Sequence, residues 1–356
     1  MTSVPTRVSA TLSFRNIGAV YVWLVIVVLF SVWAPDTFPT AITVKQVLNG
    51  NAVAGLVALS VVPPLAARVF DLSVAYTMSL TSVLTAHFLV STGLGPFTSI
   101  ALAMTAALLV GVVNALVVVV LRVDSFIATL ATGALIQSLI TMVTNDSSIT
   151  GVQLLAKPFA SIAQLDAGGI TLPVLYLLLA ALAIWFVLEH TATGRRLYAT
   201  GFNTDAARLQ GVRTDRLRFG TLVTSALLSG FAGVVFASSV GSGSPSAGSP
   251  YLLSAYAAAF VGATQLRAGR FNAWGTVIAV LLLGTGITGL GLATSAQWAA
   301  SLFTGSVLIV ALVLTGGRIA LPTVLRRRAG KLPDPEQPRG STDDESRAVP
   351  AGGTRS

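Results

Sequence analysis

Few side chains in this 356-residue chain could carry covalent chemistry. Cysteine is absent, and His87 and His190 are the only histidines. A thiolate nucleophile is therefore excluded, and a histidine metal centre lacks ligands. No G-x-x-x-x-G-K-[ST] loop occurs, so the chain has no phosphate cradle of that type for hydrolysing nucleotides. What remains is a sparse set of polar groups in apolar surroundings: Asp71 and Ser73, then Asn51, Asn114, Thr129, Thr132, Gln137 and Thr141. Without a nucleophile and its base such groups break no bonds. Inside a membrane they glue helices together or mark a route for a polar solute. Asp71, Ser73, Asn114, Thr129 and Gln137 are the candidates for a translocation path. Thr129, Gln137 and Thr141 read as a polar stripe on one helix. Asp71 and Ser73, just after Pro63-Pro64, have two readings: an N-cap for the next helix, or a broken helix beside a permeation route.

The surroundings decide which of these uses is open. The chain is 54% hydrophobic and 10% charged, against roughly 25% charge in soluble domains. A soluble monomer of this composition would expose large apolar areas; an all-α polytopic membrane protein would not. Apolar stretches of about 20 residues suit a bilayer crossing. About ten are legible, at 16–34, 46–64, 73–92, 97–121, 126–144, 171–189, 219–240, 252–266, 273–290 and 298–316. The apolar run from Ile17 to Phe30 is expected to stay as an anchor rather than be cleaved. Asp124 or Ser125 should cap the span at 126–144. Ser229-Gly230-Phe231-Ala232-Gly233 should permit close helix contact.

Charge orients the spans. With the N-terminus inside and ten crossings, the inner segments hold 20 of the 22 Lys and Arg, and the outer loops only Lys45 and Lys157. That is the positive-inside pattern, and both termini are expected in the cytoplasm of a multi-pass protein of the bacterial inner membrane. The basic residues collect in loops and tail rather than on a folded basic face, so nucleic acid is not an expected partner. The chain divides into a cytoplasmic segment at 1–15, a transmembrane domain at 16–317 with a loop at 190–218, and a basic tail at 318–356. The tail is rich in Pro, Gly, Ser and mixed charge and is expected to be disordered.

The loop at 190–218 is longer and more patterned than a connector needs. Its Gly201-Phe202-Asn203-Thr204-Asp205-Ala206-Ala207-Arg208-Leu209-Gln210-Gly211-Val212 resembles the G-x-N-x-x-A-A-x-x-S-G-I loop of ABC-importer permeases of the ribose/xylose/galactose class. Four further stretches match that class in order. Asp71-Leu72-Ser73-Val74-Ala75 is similar to its D-L-S-V-G, and Ser125-Phe126-Ile127-Ala128-Thr129-Leu130 to its P-x-F-I-x-T-L. Ser242 to Gly248 is similar to its G-x-x-x-P-x-A-G, and Val261 to Gly269 with Gly275-Thr276 to its G-G-T-S-L-x-G-G and following G-T. There are departures. Arg68-Val69-Phe70 stands for Gly-Gly-Ile, Ala75 for the closing Gly, and Ala263 and Gln265 for Gly and Ser. Pro250-Tyr251-Leu252-Leu253-Ser254 lacks the acidic residue common there.

The resemblance implies a type II ABC-importer-like fold spanning residues 15–317. It implies a pore made with a second permease subunit, alike or different, a cytoplasmic ABC ATPase that carries the ATP and Mg, and an extracytoplasmic sugar-binding protein. On that reading this chain holds no cofactor and is no enzyme, and its solute is a monosaccharide. Gly201, Asn203, Ala206, Ala207, Leu209 and Gly211 would form a coupling helix. The two alanines would let it lie close in an ATPase groove, the two glycines would punctuate it, and Asn203 or Thr204 would cap it. The alternative is a secondary transporter of a small polar solute driven by an ion gradient. The lack of a mid-span Asp or Glu, with Glu189 at the edge of its span, counts against it.

Overall fold

The computed structural model describes residues 14–264, 266, 269–294 and 297–316. Residues 1–13, most of the expected N-terminal segment, and the tail from 317 on lie outside the described residues, as do Gln265, Arg267 and Ala268. In chain order the elements are α1 (Phe14–Trp33), α2 (Ala41–Ala66), α3 (Val74–Val90), α4 (Pro96–Ala115) continued by a π-helical turn over Leu116–Val120, and α5 (Ser125–Thr144). A segment of short elements follows: β1 (Ile149–Thr150), single turns α6 (Val152–Leu155) and α7 (Ser161–Gln164), β2 (Asp166–Ala167) and β3 (Ile170–Thr171). The second half holds α8 (Leu172–His190), α9 (Ala192–Phe202), α10 (Thr204–Leu209), α11 (Thr214–Val240), β4 (Ser242–Gly243), α12 (Ser249–Ala263), α13 (Ala273–Thr294) and α14 (Gln297–Gly316).

Each of the ten apolar stretches is helical over most of its described residues. Six of these helices, α2, α4 with its π turn, α5, α8, α11 and α13, are long and apolar enough to cross a membrane. Shorter apolar helices occupy Val20–Trp33, Val74–Val90 and Trp298–Ala311. Local chemistry sets the ends. Asp124 is the cap of α5, its Oδ1 accepting from the N–H groups of Phe126 (3.0 Å) and Ile127 (3.2 Å). Proline opens α4, α8 and α12, where its missing N–H costs nothing. For that reason α12 starts at Ser249 rather than at the expected 252.

The layering follows from burial. In α2, 72% of the apolar window is buried, against 28% in α4 and in α5, so α2 is central and α4 and α5 form a rim. The long α11 packs on α2, α3 and α4, and α12 on α2, α13 and α14. Leu56, Val57, Val61, Met78, Ala232 and Val235 lie in the shared core. Gly233 touches the Met78 carbonyl and the Thr81 hydroxyl so closely that no Cβ would fit, which is the close contact expected of the Ser-Gly-Phe-Ala-Gly run. The rim helices turn Leu102, Leu109, Leu135 and Leu139 outward, a surface suited to lipid rather than to water.

The all-α expectation needs one addition. β1 pairs antiparallel with β4 (Ile149↔Gly243), and β2 with β3 (Asp166↔Thr171). The segment read as a polar loop is a small folded cap, because its backbone groups find partners. Ser238 Oγ donates to the Phe159 carbonyl (2.8 Å) and accepts from the Ala163 N–H (3.1 Å), while Asn49 Oδ1 accepts from the Thr171 N–H (3.0 Å). Lys45 approaches Gly169 at this end. At the opposite end Arg68, Arg122, Arg208 and Arg218 line one cavity.

Candidate functional site

Two constructions draw on the residues singled out by sequence. The first is the break between α2 and α3. Pro63 and Pro64 lie in the last turns of α2. The Pro64 carbonyl accepts from the N–H groups of Ala67 and Val69 (2.9 Å each), and Arg68 turns the chain at φ 55°. Four successive backbone donors then point away from any helix, and each is met by a side-chain oxygen. Phe70 N–H donates to Ser125 Oγ (3.0 Å), Asp71 N–H to the Tyr256 hydroxyl (3.0 Å), Leu72 N–H to Thr129 Oγ1 (3.0 Å) and Ser73 N–H to Asp71 Oδ1 (3.1 Å). Ser73 Oγ donates to Asp71 Oδ1 (2.6 Å) and accepts from Asn114 Nδ2 (2.8 Å). Irregular backbone is tolerated at membrane depth only when its polar groups are satisfied in this way.

Asp71, Ser73, Asn114 and Thr129 are fully buried, so four of the five path candidates come together in a closed cradle. Ser225 Oγ faces the Asp71 carboxylate there, and Asn114 Oδ1 is buried without a partner among the described residues. Gln137 is elsewhere, half-buried two turns further along α5. The expected stripe fails because eight residues advance a helix by about 80° beyond two full turns. Thr141 instead donates to Asp146 Oδ1 (2.8 Å) at the far end. Of the two readings of Asp71 and Ser73, capping is indirect. Ser73 occupies the cap position of α3 but makes no side-chain cap, and Asp71 holds Ser73. Tyr256 was not foreseen, since nothing local to it signals a contact 185 residues away.

The second construction is α9–α10 and its junction with α11. Asn203 ends α9, its N–H donating to the Ala199 carbonyl (3.1 Å), and starts α10, its Oδ1 accepting from the Ala206 N–H (3.0 Å). Gly211, at φ 78°, ends the turn, and the Val212 N–H returns to the Ala207 carbonyl (3.0 Å), a glycine C-cap. Arg208 donates from Nε to Thr214 Oγ1 (2.9 Å) and pairs with Asp215 on α11, while Arg218 donates to Thr204 Oγ1 (2.9 Å). The module is thus tied to the first turns of α11.

Two readings change. Gly201 does not punctuate α10. It lies in the last turn of α9 against the Ala66 carbonyl of α2, too close for any Cβ. Ala207 does not face outward; it is buried at 5% exposure, because α10 packs that side on α11. Ala206 is exposed, together with Phe202 (86%) and Leu209 (88%). Phe202 was missed, although an exposed aromatic residue in a basic segment is a signal that water is not its final contact.

Residues 43–312 match the family described as branched-chain amino acid transport system / permease component. The chain belongs to this family. The permease is similar over nearly its full span to curated sugar permeases. The ribose import permease protein RbsC of Bacillus subtilis (strain 168) is 30% identical, the match covering 84% of this chain and 92% of that relative. The D-allose transport system permease protein AlsC of Escherichia coli (strain K12) is 27% identical over 83% of this chain and 90% of its own. The L-arabinose transport system permease protein AraH of the same strain is 29% identical over 88% and 96%. The chain is accordingly a multi-pass membrane permease and not an enzyme.

Proposed function

We propose that this permease is the membrane subunit of an ATP-driven importer of a monosaccharide, with ten crossings and both termini in the cytoplasm. A second permease subunit, alike or different, completes the pore, and an extracytoplasmic sugar-binding protein delivers the solute. ATP and Mg belong to a cytoplasmic ABC ATPase. The observation that carries this reading is the outward face of α10. Ala206 and Leu209 on α10, with Phe202 at the adjoining end of α9, are exposed on a turn that Asn203 and Gly211 cap and Arg208 ties to α11. A small apolar knob on a stiff mount suits a groove on a partner that moves, and α11 carries the push to α2 and α3 in the core. Asp71, Ser73, Asn114 and Thr129 then hold the α2–α3 break in shape beside the solute route. The sugar preference is supported by the named solutes of the similar permeases.

The test is Ala206→Glu in the full transporter reconstituted with its ATPase and binding protein. Burying an unpaired carboxylate in an apolar groove is costly, so solute-stimulated ATP hydrolysis should fall about tenfold or more. Melting of the isolated permease should not change, because Ala206 is exposed. Unaltered stimulation removes α10 from the coupling path. Gradient-driven uptake by this chain alone in liposomes removes the ATPase itself.

A further inference from the structure

The end of the molecule that carries α10 holds a polar cavity of about 350 Å³. Arg68, Arg122, Arg208 and Arg218 line it, with only Asp124 and Asp215 as carboxylates. Both acids are already engaged. Asp124 caps α5 and Asp215 pairs with Arg208. Arg68 and Arg122 have no hydrogen bond or ion pair among the described residues, and Arg218 keeps a buried Nε without a partner. The cavity therefore carries an excess of positive charge with donors to spare.

The backbone adds a second observation. Arg68 and Arg122 stand at φ 55° and 57°, the left-handed region that a Cβ disfavours. Arg68 closes α2 and Arg122 follows the π turn after α4, positions where glycine would be free of strain. Strain of this kind persists at ligand clamps. Beside the cavity Val120, Leu121, Phe126 and Ile127 are exposed, so the guanidinium groups border an apolar face. That is the arrangement a phospholipid meets: phosphate on arginine, acyl chains along a helix.

We infer that this cavity binds a phosphate group, with the headgroup of an anionic phospholipid as the favoured source and free phosphate as the other. The site joins Arg68, two residues before the satisfied donors of the break, to Arg208 on α10 and Arg218 on α11. An occupant would brace the coupling module against the break. The lipid as source rests on the membrane placement proposed above; the phosphate chemistry does not.

The full chain, purified in detergent, is titrated by native mass spectrometry with phosphatidylglycerol, with a diacylglycerol of the same chains, and with inorganic phosphate. Phosphatidylglycerol should bind the wild type in clear preference to diacylglycerol. The Arg68→Gly/Arg122→Gly pair should weaken it about tenfold or more, yet melt no lower than wild type, since glycine suits both backbones. Arg195→Gln/Arg196→Gln, on exposed arginines outside the cavity, should leave binding unchanged. Should the glycine pair melt lower, Arg68→Gln/Arg122→Gln is read in its place by the same criterion. Displacement of the lipid by millimolar phosphate assigns the site to free phosphate, and resistance assigns it to lipid. Equal phosphatidylglycerol binding in wild type and variant overturns the inference. So does a wild type that neither prefers phosphatidylglycerol nor takes phosphate.

Discussion

The hydroxyl of Tyr256 sits where a helix would have supplied a carbonyl. It accepts the Asp71 N–H inside a cradle closed to solvent, and its ring stacks on Phe70 at 6.4 Å. Tyr256→Phe keeps the ring and removes the acceptor, leaving one buried donor unpaired at a cost of about 1–3 kcal/mol. Thermal unfolding in detergent should fall accordingly, whereas Tyr176→Phe, on α8 and away from the break, keeps the ring contact with Phe231 and should barely move it. Equal melting of the Tyr256 variant and wild type would show that the break does not depend on this bond. At this scale the sequence was half legible. Asp71, Ser73, Asn114 and Thr129 were all visible as polar groups out of place in apolar helices, which is why four of five candidates meet. What joins them was not visible, because Ser125 and Tyr256 reach the break from 55 and 185 residues away. Periodicity reports faces of single helices and carries no information about such pairs.

Among the elements, α9 and α10 show how a recognisable pattern can be assigned the wrong physics. Gly201 and Gly211 both looked like helix punctuation, yet only Gly211 has the left-handed backbone of a C-cap. Gly201 instead lets α9 touch the end of α2 at the Ala66 carbonyl. The distinction predicts different damage. Gly201→Val must push α9 away from α2 and should cost about 1–3 kcal/mol, as overpacking does, and it should uncouple solute from ATP hydrolysis even where the protein still folds. Gly211→Ala strains one residue just after α10 and should cost about 1–2 kcal/mol with α9 still seated. Melting curves alone do not separate the two; solute-stimulated ATPase does, and equal residual coupling would place both glycines in one structural role. Asn203 was read correctly because a cap is local, its acceptor and donor three residues apart. Ala207 was misread because its burial depends on α11, which returns only after the turn.

For the whole molecule, the separation of charge is the feature on which orientation depends. Within the described residues the arginines at 68, 122, 208 and 218 share one cavity, while Lys45 lies at the opposite end against Gly169, between β2 and β3. Two lysines, Lys45 and Lys157, on one side and a group of arginines at the other end give the chain a polarity that the positive-inside rule converts into a direction. The central burial of α2 and the apolar rim of α4 and α5 give the depth, with Leu102, Leu109, Leu135 and Leu139 exposed on a surface suited to lipid. The absence of cysteine makes the direction easy to test, since any thiol introduced is the only one. Phe202→Cys and Lys157→Cys both place it on exposed positions. In intact spheroplasts a membrane-impermeant maleimide should label Lys157→Cys alone; after permeabilisation both should label. Labelling of Phe202→Cys in intact spheroplasts would put α10 outside the cell, out of reach of any cytoplasmic ATPase, and the coupling role assigned to its exposed face would fall with it.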